Sequence, residues 1–228
     1  MNISGFEKLT LLDYPGNVAC IVFTQGCNYK CKFCHNSSLI GGNNEKYLEK
    51  DIFKYLEKRK NILDGVVISG GEPTLCPDLK NFISKIKNIG LKVKLDTNGT
   101  NPKVLRELIN NNLIDYIAMD IKNSFSCYEK IVDVKNPFIE QIKESIDLIR
   151  NSGLEHEFRT TIMKEHHNVE LLKEICQYIG KNEKYYIQNF RLSDCVLDKS
   201  LTPFNSDELS NIQQILNKEF PNAQVRNA

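Results

Sequence analysis

No stretch of the sequence approaches the roughly 20 consecutive apolar residues that a helix needs to cross a bilayer, which excludes a spanning helix. The first residues, Met1 to Phe6, lack a basic segment followed by an apolar run and a small-residue cleavage site, so nothing marks the chain for export and a cytoplasmic location is expected. Net charge is lacking too: 30 Lys and Arg against 29 Asp and Glu leave +1. Neither sign gathers into a block, so there is no electrostatic case for nucleic acid or a membrane surface as partner. Repeats, low-complexity runs and interdomain linkers are missing. At 228 residues this predicts one folded unit, residues 1–228.

Cysteine, by contrast, is plentiful, with eight residues. Cys20, Cys76, Cys127, Cys176 and Cys195 stand apart, whereas Cys27, Cys31 and Cys34 crowd into Cys27-Asn-Tyr-Lys-Cys31-Lys-Phe-Cys34. That pattern reads as a metal site, not a disulfide frame. A structural zinc takes four protein ligands and an electron-transfer cluster takes four cysteines, so three thiolates imply an open coordination position. The competing reading closes the set around zinc, with His35 or Cys20 as the fourth ligand.

Apolar residues alternate between short strand-like runs and longer helix-like ones, the signature of a parallel α/β sheet. Strands are expected over 18–24, 65–69, 91–96, 115–120, 156–163 and 185–190, with helices over 47–60, from near Pro77 to Gly90, 102–112, 138–151 and 169–179. Six β/α units suit an open partial (β/α)6 barrel better than a closed eight-stranded one of about 250 residues. Sites in such sheets gather at the C-terminal strand ends. Polar or glycine-rich residues follow every strand: Gln25-Gly-Cys27, Ser69-Gly-Gly-Glu-Pro73, Asp96-Thr-Asn-Gly99, Asp120-Ile-Lys122, Arg159-Thr-Thr161 and Gln188-Asn189.

Each of these has an ordinary reading. Glycines after a strand let backbone groups approach a ligand, but they also make tight turns. Asp96-Thr97-Asn98-Gly99 is a common turn tetrad. Asp120 and Lys122 share one face because Ile121 points to the other, yet they could be a surface ion pair. Arg159 alone is a packing or solvated arginine. His166-His167 reads as a loop or cap pair, because no third ligand stands at a suitable spacing.

The cysteine spacing, with Phe33 directly before the last cysteine, resembles the signature of the radical S-adenosylmethionine (SAM) superfamily. The resemblance implies one 4Fe-4S cluster on Cys27, Cys31 and Cys34, its fourth iron chelated by the amino and carboxylate groups of SAM. Phe33 would lie near the adenine, with His35 among the cofactor contacts. Gly70, Gly71 and Glu72 match the superfamily's Gly-Gly-Glu motif, whose backbone bonds the methionyl amino group. Asp96, Thr97 and Asn98 match the segment contacting the ribose and methionyl end. Asp120 and Lys122 look like the Asp-x-Lys pair of glycyl-radical activating enzymes, beside the methionyl carboxylate. Lys122 would supply positive charge there, and Asp120 with Asp96 could help hold a monovalent cation. Arg159 matches an arginine that faces the cofactor.

Gly5-Phe-Glu-Lys-Leu-Thr-Leu-Leu-Asp-Tyr-Pro-Gly16, with Phe23-Thr-Gln-Gly-Cys-Asn28 and Cys34-His-Asn36, closely resembles activating proteins of anaerobic (class III) ribonucleoside-triphosphate reductase. The implied reaction is reductive cleavage of SAM to methionine and a 5'-deoxyadenosyl radical, which takes hydrogen from a glycine of the partner protein. The implied partners are a glycyl radical enzyme and a flavodoxin- or ferredoxin-type electron donor. No second cysteine group marks a ferredoxin-like insert, so one cluster is expected, on the loop 26–36. Gln188-Asn189-Phe190 stands where pyruvate formate-lyase activating enzymes carry a histidine. The alternatives are a pyruvate formate-lyase-type activase, a small-molecule enzyme such as 7-carboxy-7-deazaguanine synthase, and a zinc-bound binding protein.

Overall fold

The computed structural model describes residues 1–41 and 47–226. Its strands are β1 (Ile3–Thr10), β2 (Ala19–Thr24), β3 (Gly65–Gly70), β4 (Lys92–Thr97), β5 (Tyr116–Asp120), β6 (Glu155–Ile162), β7 (Tyr185–Asn189) and β8 (Ala223–Arg226). The helices are α1 (Glu49–Arg59), α2 (Leu79–Ile89), α3 (Pro102–Asn110), α4 (Tyr128–Val132), α5 (Ile139–Arg150), α6 (Val169–Ile179) and α7 (Ser206–Asn217). All eight strands join one sheet in chain order. Every neighbouring pair from β2 to β8 is parallel, and β1 runs antiparallel to β2. No helix among the described residues is long and apolar enough to cross a membrane.

The six expected β/α units correspond to β2 through β7. Their runs are apolar on both faces because helices cover one face and the curl of the sheet encloses the other. Cys20, Val22, Val66, Ile68, Val93, Leu95, Ile117, Met119 and Phe158 join the main core under the helices. Ala19, Ile21, Val67, Tyr116 and Ala118 form a second cluster on the inner face, together with Tyr14. The expected turn Asp13-Tyr-Pro-Gly16 therefore does more than reverse the chain. Tyr14 packs edge-on to Tyr116, with ring centroids 5.9 Å apart, and sits so close to Gly65 that a Cβ there would meet its ring at 2.8 Å. It plugs the floor of the barrel.

Two strands and two helices lie outside the expected pattern. β1 is an edge strand with register shifts at both ends, and its Glu7-Lys8-Leu9 stretch is exposed, so it shows no clean alternation. β8 has four residues, too few for a period. α4, at five residues, is equally short. α7 begins with a reciprocal capping box between Asn205 and Glu208, a signal present in the sequence as Asn-x-x-Glu.

Candidate active site

A cavity of about 420 Å3 opens at the C-terminal ends of β2 to β7. Cys27, Cys31, Cys34, Phe33, His35, Gly70, Gly71, Glu72, Asp96, Thr97, Asn98, Asp120, Lys122 and Arg159 all line it. Residues separated by more than 130 positions thus meet at one mouth, because parallel strands deliver all their C-terminal ends to the same edge.

The cysteine loop is held from below and from the side. Gly71 N donates to Thr24 O at 3.0 Å and Glu72 N to Gly26 O at 2.8 Å, tying the end of β3 to the start of the loop. A Cβ on Gly70 would meet the Thr24 backbone at 2.3 Å, and one on Gly71 would meet Gly26 O at 2.0 Å. The glycines are required first by this chain-on-chain approach, which leaves bare backbone facing the cavity. Lys30 N and Lys32 N donate to Val132 O and Ile131 O at the end of α4. Buried Tyr29 donates its hydroxyl to Pro137 O at 2.5 Å. Asn28 bonds Thr100 Oγ1 and accepts from Asn98 Nδ2, both at 2.9 Å.

Cys31 is buried, with Cys27 and Cys34 half-buried. Burial pushes the Cys31 thiol up to about 12 and raises the other two, while Lys122 pulls all three down. Among the described residues no three His, Cys, Asp or Glu side chains gather tightly enough to hold a single metal ion. The closed zinc set also loses its fourth ligands. Cys20 points into the core under the helices, and His35 has Nε2 bonded to Arg191 O at 2.6 Å and its ring stacked on Phe190.

Glu72 is fully buried, and both its oxygens are occupied by protein donors. Oε1 accepts from Thr74 N, Thr74 Oγ1 and Thr97 Oγ1 at 3.1, 2.6 and 2.8 Å, and Oε2 from Asn98 N at 2.6 Å. It is a strut that locks the end of β3 to the end of β4. Burial pushes its carboxyl upward against the pull of these donors.

A chain of alternating charges crosses the inner face. Lys94, on β4 and buried, donates to Asp96. Asp96 also accepts from Ser69 Oγ at 3.2 Å and lies 3.5 Å from Arg159 Nη2. Arg159 Nε donates to Asp120 Oδ1 at 2.8 Å, and Lys122 Nζ to Asp120 Oδ2 at 3.0 Å. Lys122 ends the chain 5.7 Å above the Phe33 ring. Arg159 and Lys122 together hold the Asp120 carboxyl well below the usual carboxylate range, and Arg159 with Lys94 lowers that of Asp96.

Asp13, Tyr29, Asn36 and Ile40, which carry no ligand motif, also line the cavity, as do the strand-end residues Ser69, Thr161 and Gln188. Tyr29 carries no sequence signal beyond lying between cysteines. His167 proves to be a brace: Met163 N donates to its Nδ1 and its Nε2 donates to Lys122 O at 3.1 Å.

Residues 21–179 match the model of the radical SAM superfamily. A Methanocaldococcus jannaschii protein provisionally named a glycyl-radical enzyme activating enzyme is 34% identical over 98% of this chain and 95% of its own length. A Saccharolobus islandicus protein provisionally named a GTP 3',8-cyclase is 30% identical over 90% of this chain but only 66% of its own. Among solved structures, Streptococcus suis SuiB bound to S-adenosylmethionine superposes with a TM-score of 0.70 at 17% identity, over 90% of this chain and about half (48%) of the longer SuiB chain. The chain belongs to the radical SAM superfamily, enzymes built on a 4Fe-4S cluster and SAM.

Proposed function

We propose that this chain is a glycyl-radical enzyme activating enzyme and that its partner is anaerobic (class III) ribonucleoside-triphosphate reductase. The observation that carries the reading is the convergence of three thiols, bare backbone at Gly70 and Gly71, and the half-buried Lys122 on one cavity. The relative of nearly equal length supports a glycyl radical enzyme as partner, and the resemblance carried by the N-terminal segment 5–16 is what favours the class III reductase among them.

The donor set suits the implied groups. A 4Fe-4S cluster takes one thiolate per iron, so the three thiols lining this cavity would hold three irons and leave the fourth open. Lys122, whose charge bears on all three thiols, would offset their negative charge and stand beside the methionyl carboxylate. Gly70 and Gly71 would offer backbone to the methionyl amino group, with Glu72 holding that backbone still. Phe33 would give the adenine a flat apolar face, with His35 at its edge, and Asp96, Thr97 and Asn98 would reach the ribose. When bound, these groups supply a reductive cleavage of SAM that yields a 5'-deoxyadenosyl radical able to take hydrogen from glycine. The cavity walls would fix the sulfonium against the cluster and exclude water. A flavodoxin- or ferredoxin-type protein supplies the electron in this reading. A monovalent cation between Asp96 and Asp120 has a competitor in Arg159, which already bridges both carboxylates, and we assign the bridging charge to the guanidinium.

The test is anaerobic reconstitution with iron and sulfide, followed by reduction and incubation with SAM and the class III reductase. A glycine-centred doublet in the electron spin resonance spectrum is expected. Turnover of free GTP without that doublet would move the chain to the cyclase side of its relatives, and a colourless protein with stoichiometric zinc would end the enzyme reading.

A further inference from the structure

A second cavity, of about 300 Å3, is lined by Lys92, Asp115, Glu155 and Lys184, which stand at or just before the starts of β4 to β7, the end of the sheet away from the mouth. Tyr14, Tyr116 and Tyr186 share its wall, and Arg226, the last residue of β8, joins them by lying over the Tyr186 ring. Tyr116 donates to Glu157 Oε2 at 2.9 Å, and Glu157 lies 3.8 Å from Arg159 of the mouth. The two cavities are thus neighbours with no lining residue in common. The volume sits at the lower end of the range for small-molecule pockets.

Its acids are answered and two of its cations are not. Asp115 accepts from Lys87 Nζ and from Val93 N, each at 2.7 Å, and Glu155 from Lys184 Nζ at 2.7 Å. Lys92 gives its Nζ to a neutral acceptor, Asn17 Oδ1, at 3.1 Å, while the Arg226 guanidinium lies 3.2 Å from the ring centroid of Tyr186. Neither has a carboxylate partner among the described residues. Two positive charges are left over.

The uncommitted neutral groups are donors as well. Tyr14 is 3% exposed, yet its hydroxyl has no hydrogen-bond partner among the described residues and is not sealed in the core. A phenol so nearly buried keeps that opening toward the cavity it lines. Burial, with the charge of Asp115, holds its pKa well above the usual tyrosine range, so the proton stays on the oxygen. The Tyr186 hydroxyl is likewise without a partner among the described residues. Arg226 has its face on the Tyr186 ring, and a guanidinium stacked in this way keeps its in-plane N–H fork for an oxyanion.

We infer that this cavity is a binding site for a phosphoryl group, either free or carried by a small molecule. Two spare positive charges match the roughly −1.5 to −2 of a phosphate monoester at neutral pH, whereas a single carboxylate would leave one unanswered. The tyrosine rings offer a wall for the body of a phosphorylated molecule. The site goes beyond the activating-enzyme reading and does not depend on which protein the chain activates.

The test titrates inorganic phosphate, adenosine monophosphate and succinate into the reconstituted protein by calorimetry, with SAM in excess so that the mouth is filled. Wild type should bind phosphate, K92Q/R226Q about tenfold or more weakly, and Y14F less tightly than wild type. Iron content, expected to equal that of wild type, checks that both variants are intact. Tighter binding of adenosine monophosphate than of phosphate assigns the site to a phosphorylated molecule, and equal or weaker binding to the free ion. A wild type that binds no phosphate overturns the proposal. So does K92Q/R226Q binding phosphate as wild type does, or succinate binding as tightly as phosphate.

Discussion

The two faces of the sheet divide the labour of this protein. On the face under the helices, Val22, Val66, Ile68, Leu95, Met119 and Phe158 are fully buried in one apolar core. The inner face of the same strands starts with small and aromatic residues at the floor and ends in Asp96, Asp120 and Arg159 at the mouth. Because side chains alternate along a strand, Phe158 and Arg159 are chain neighbours that serve different purposes. The contrast shows how one strand can carry stability and chemistry at once. Disturbing one face should leave the other largely intact, and that is open to direct attack.

The largest effect is expected at the mouth itself. Cys31→Ala should abolish both cluster assembly and SAM cleavage while the sheet still folds, whereas Cys195→Ala should leave iron content unchanged. Iron analysis and visible absorbance check both, and full loading of Cys31→Ala would remove it from the ligand set. On the opposite face, Phe158→Ala should lower unfolding free energy by about 3–5 kcal/mol through the cavity it leaves. Urea denaturation measures this, and the protein that remains folded should still take up iron. A loss of iron uptake in the folded fraction would mean that the two faces are coupled.

His167 tests the seam between them. It is buried behind the Lys122 carbonyl, and burial depresses its imidazole to about 4 from an ordinary 6.5. A depressed base contributes stability that is whole above pH 6.5 and is lost as pH falls toward 4, on the order of 3 kcal/mol over that window. Denaturation at stepped pH should show this decline, and His167→Asn should flatten it. A slope that survives in the variant would point to other groups. The smallest effect is expected from Lys122→Ala. It keeps the cluster but should weaken SAM binding by about 1.5–3 kcal/mol, the range of a charge-assisted hydrogen bond. Equilibrium binding measures it, and unchanged affinity would take Lys122 out of the site.

Much of this architecture is legible without a structure. The expected helix 169–179 coincides with α6, Val169–Ile179, whose ends the structure shows closed by the Asn168 side chain and by Gly180. The six inner strands were found because buried parallel strands are written as unbroken apolar runs. β1 escaped because an edge strand with bulges has no such run, and β8 because four residues hold no period. At the site, the fourteen residues named from the strand ends and from the superfamily resemblance all line one cavity. Their partners were less legible. Glu72 reads as part of a ligand motif, yet its oxygens are taken by Thr74, Thr97 and Asn98, since a carboxylate buried at a strand junction must find donors there.

By itself, then, the sequence determined the three-thiol loop, the alternation that makes a parallel sheet, and the polar residues at each strand end, because all three depend on spacing along the chain. Only the tertiary structure decided which charge meets which. Arg159 of β6 lies beside Asp120 of neighbouring β5 and reaches on to Asp96 of β4. Strand order and register set those distances, and no interval in the sequence records them. The same holds for Tyr14, whose place in the barrel floor follows from where the antiparallel β1 returns the chain.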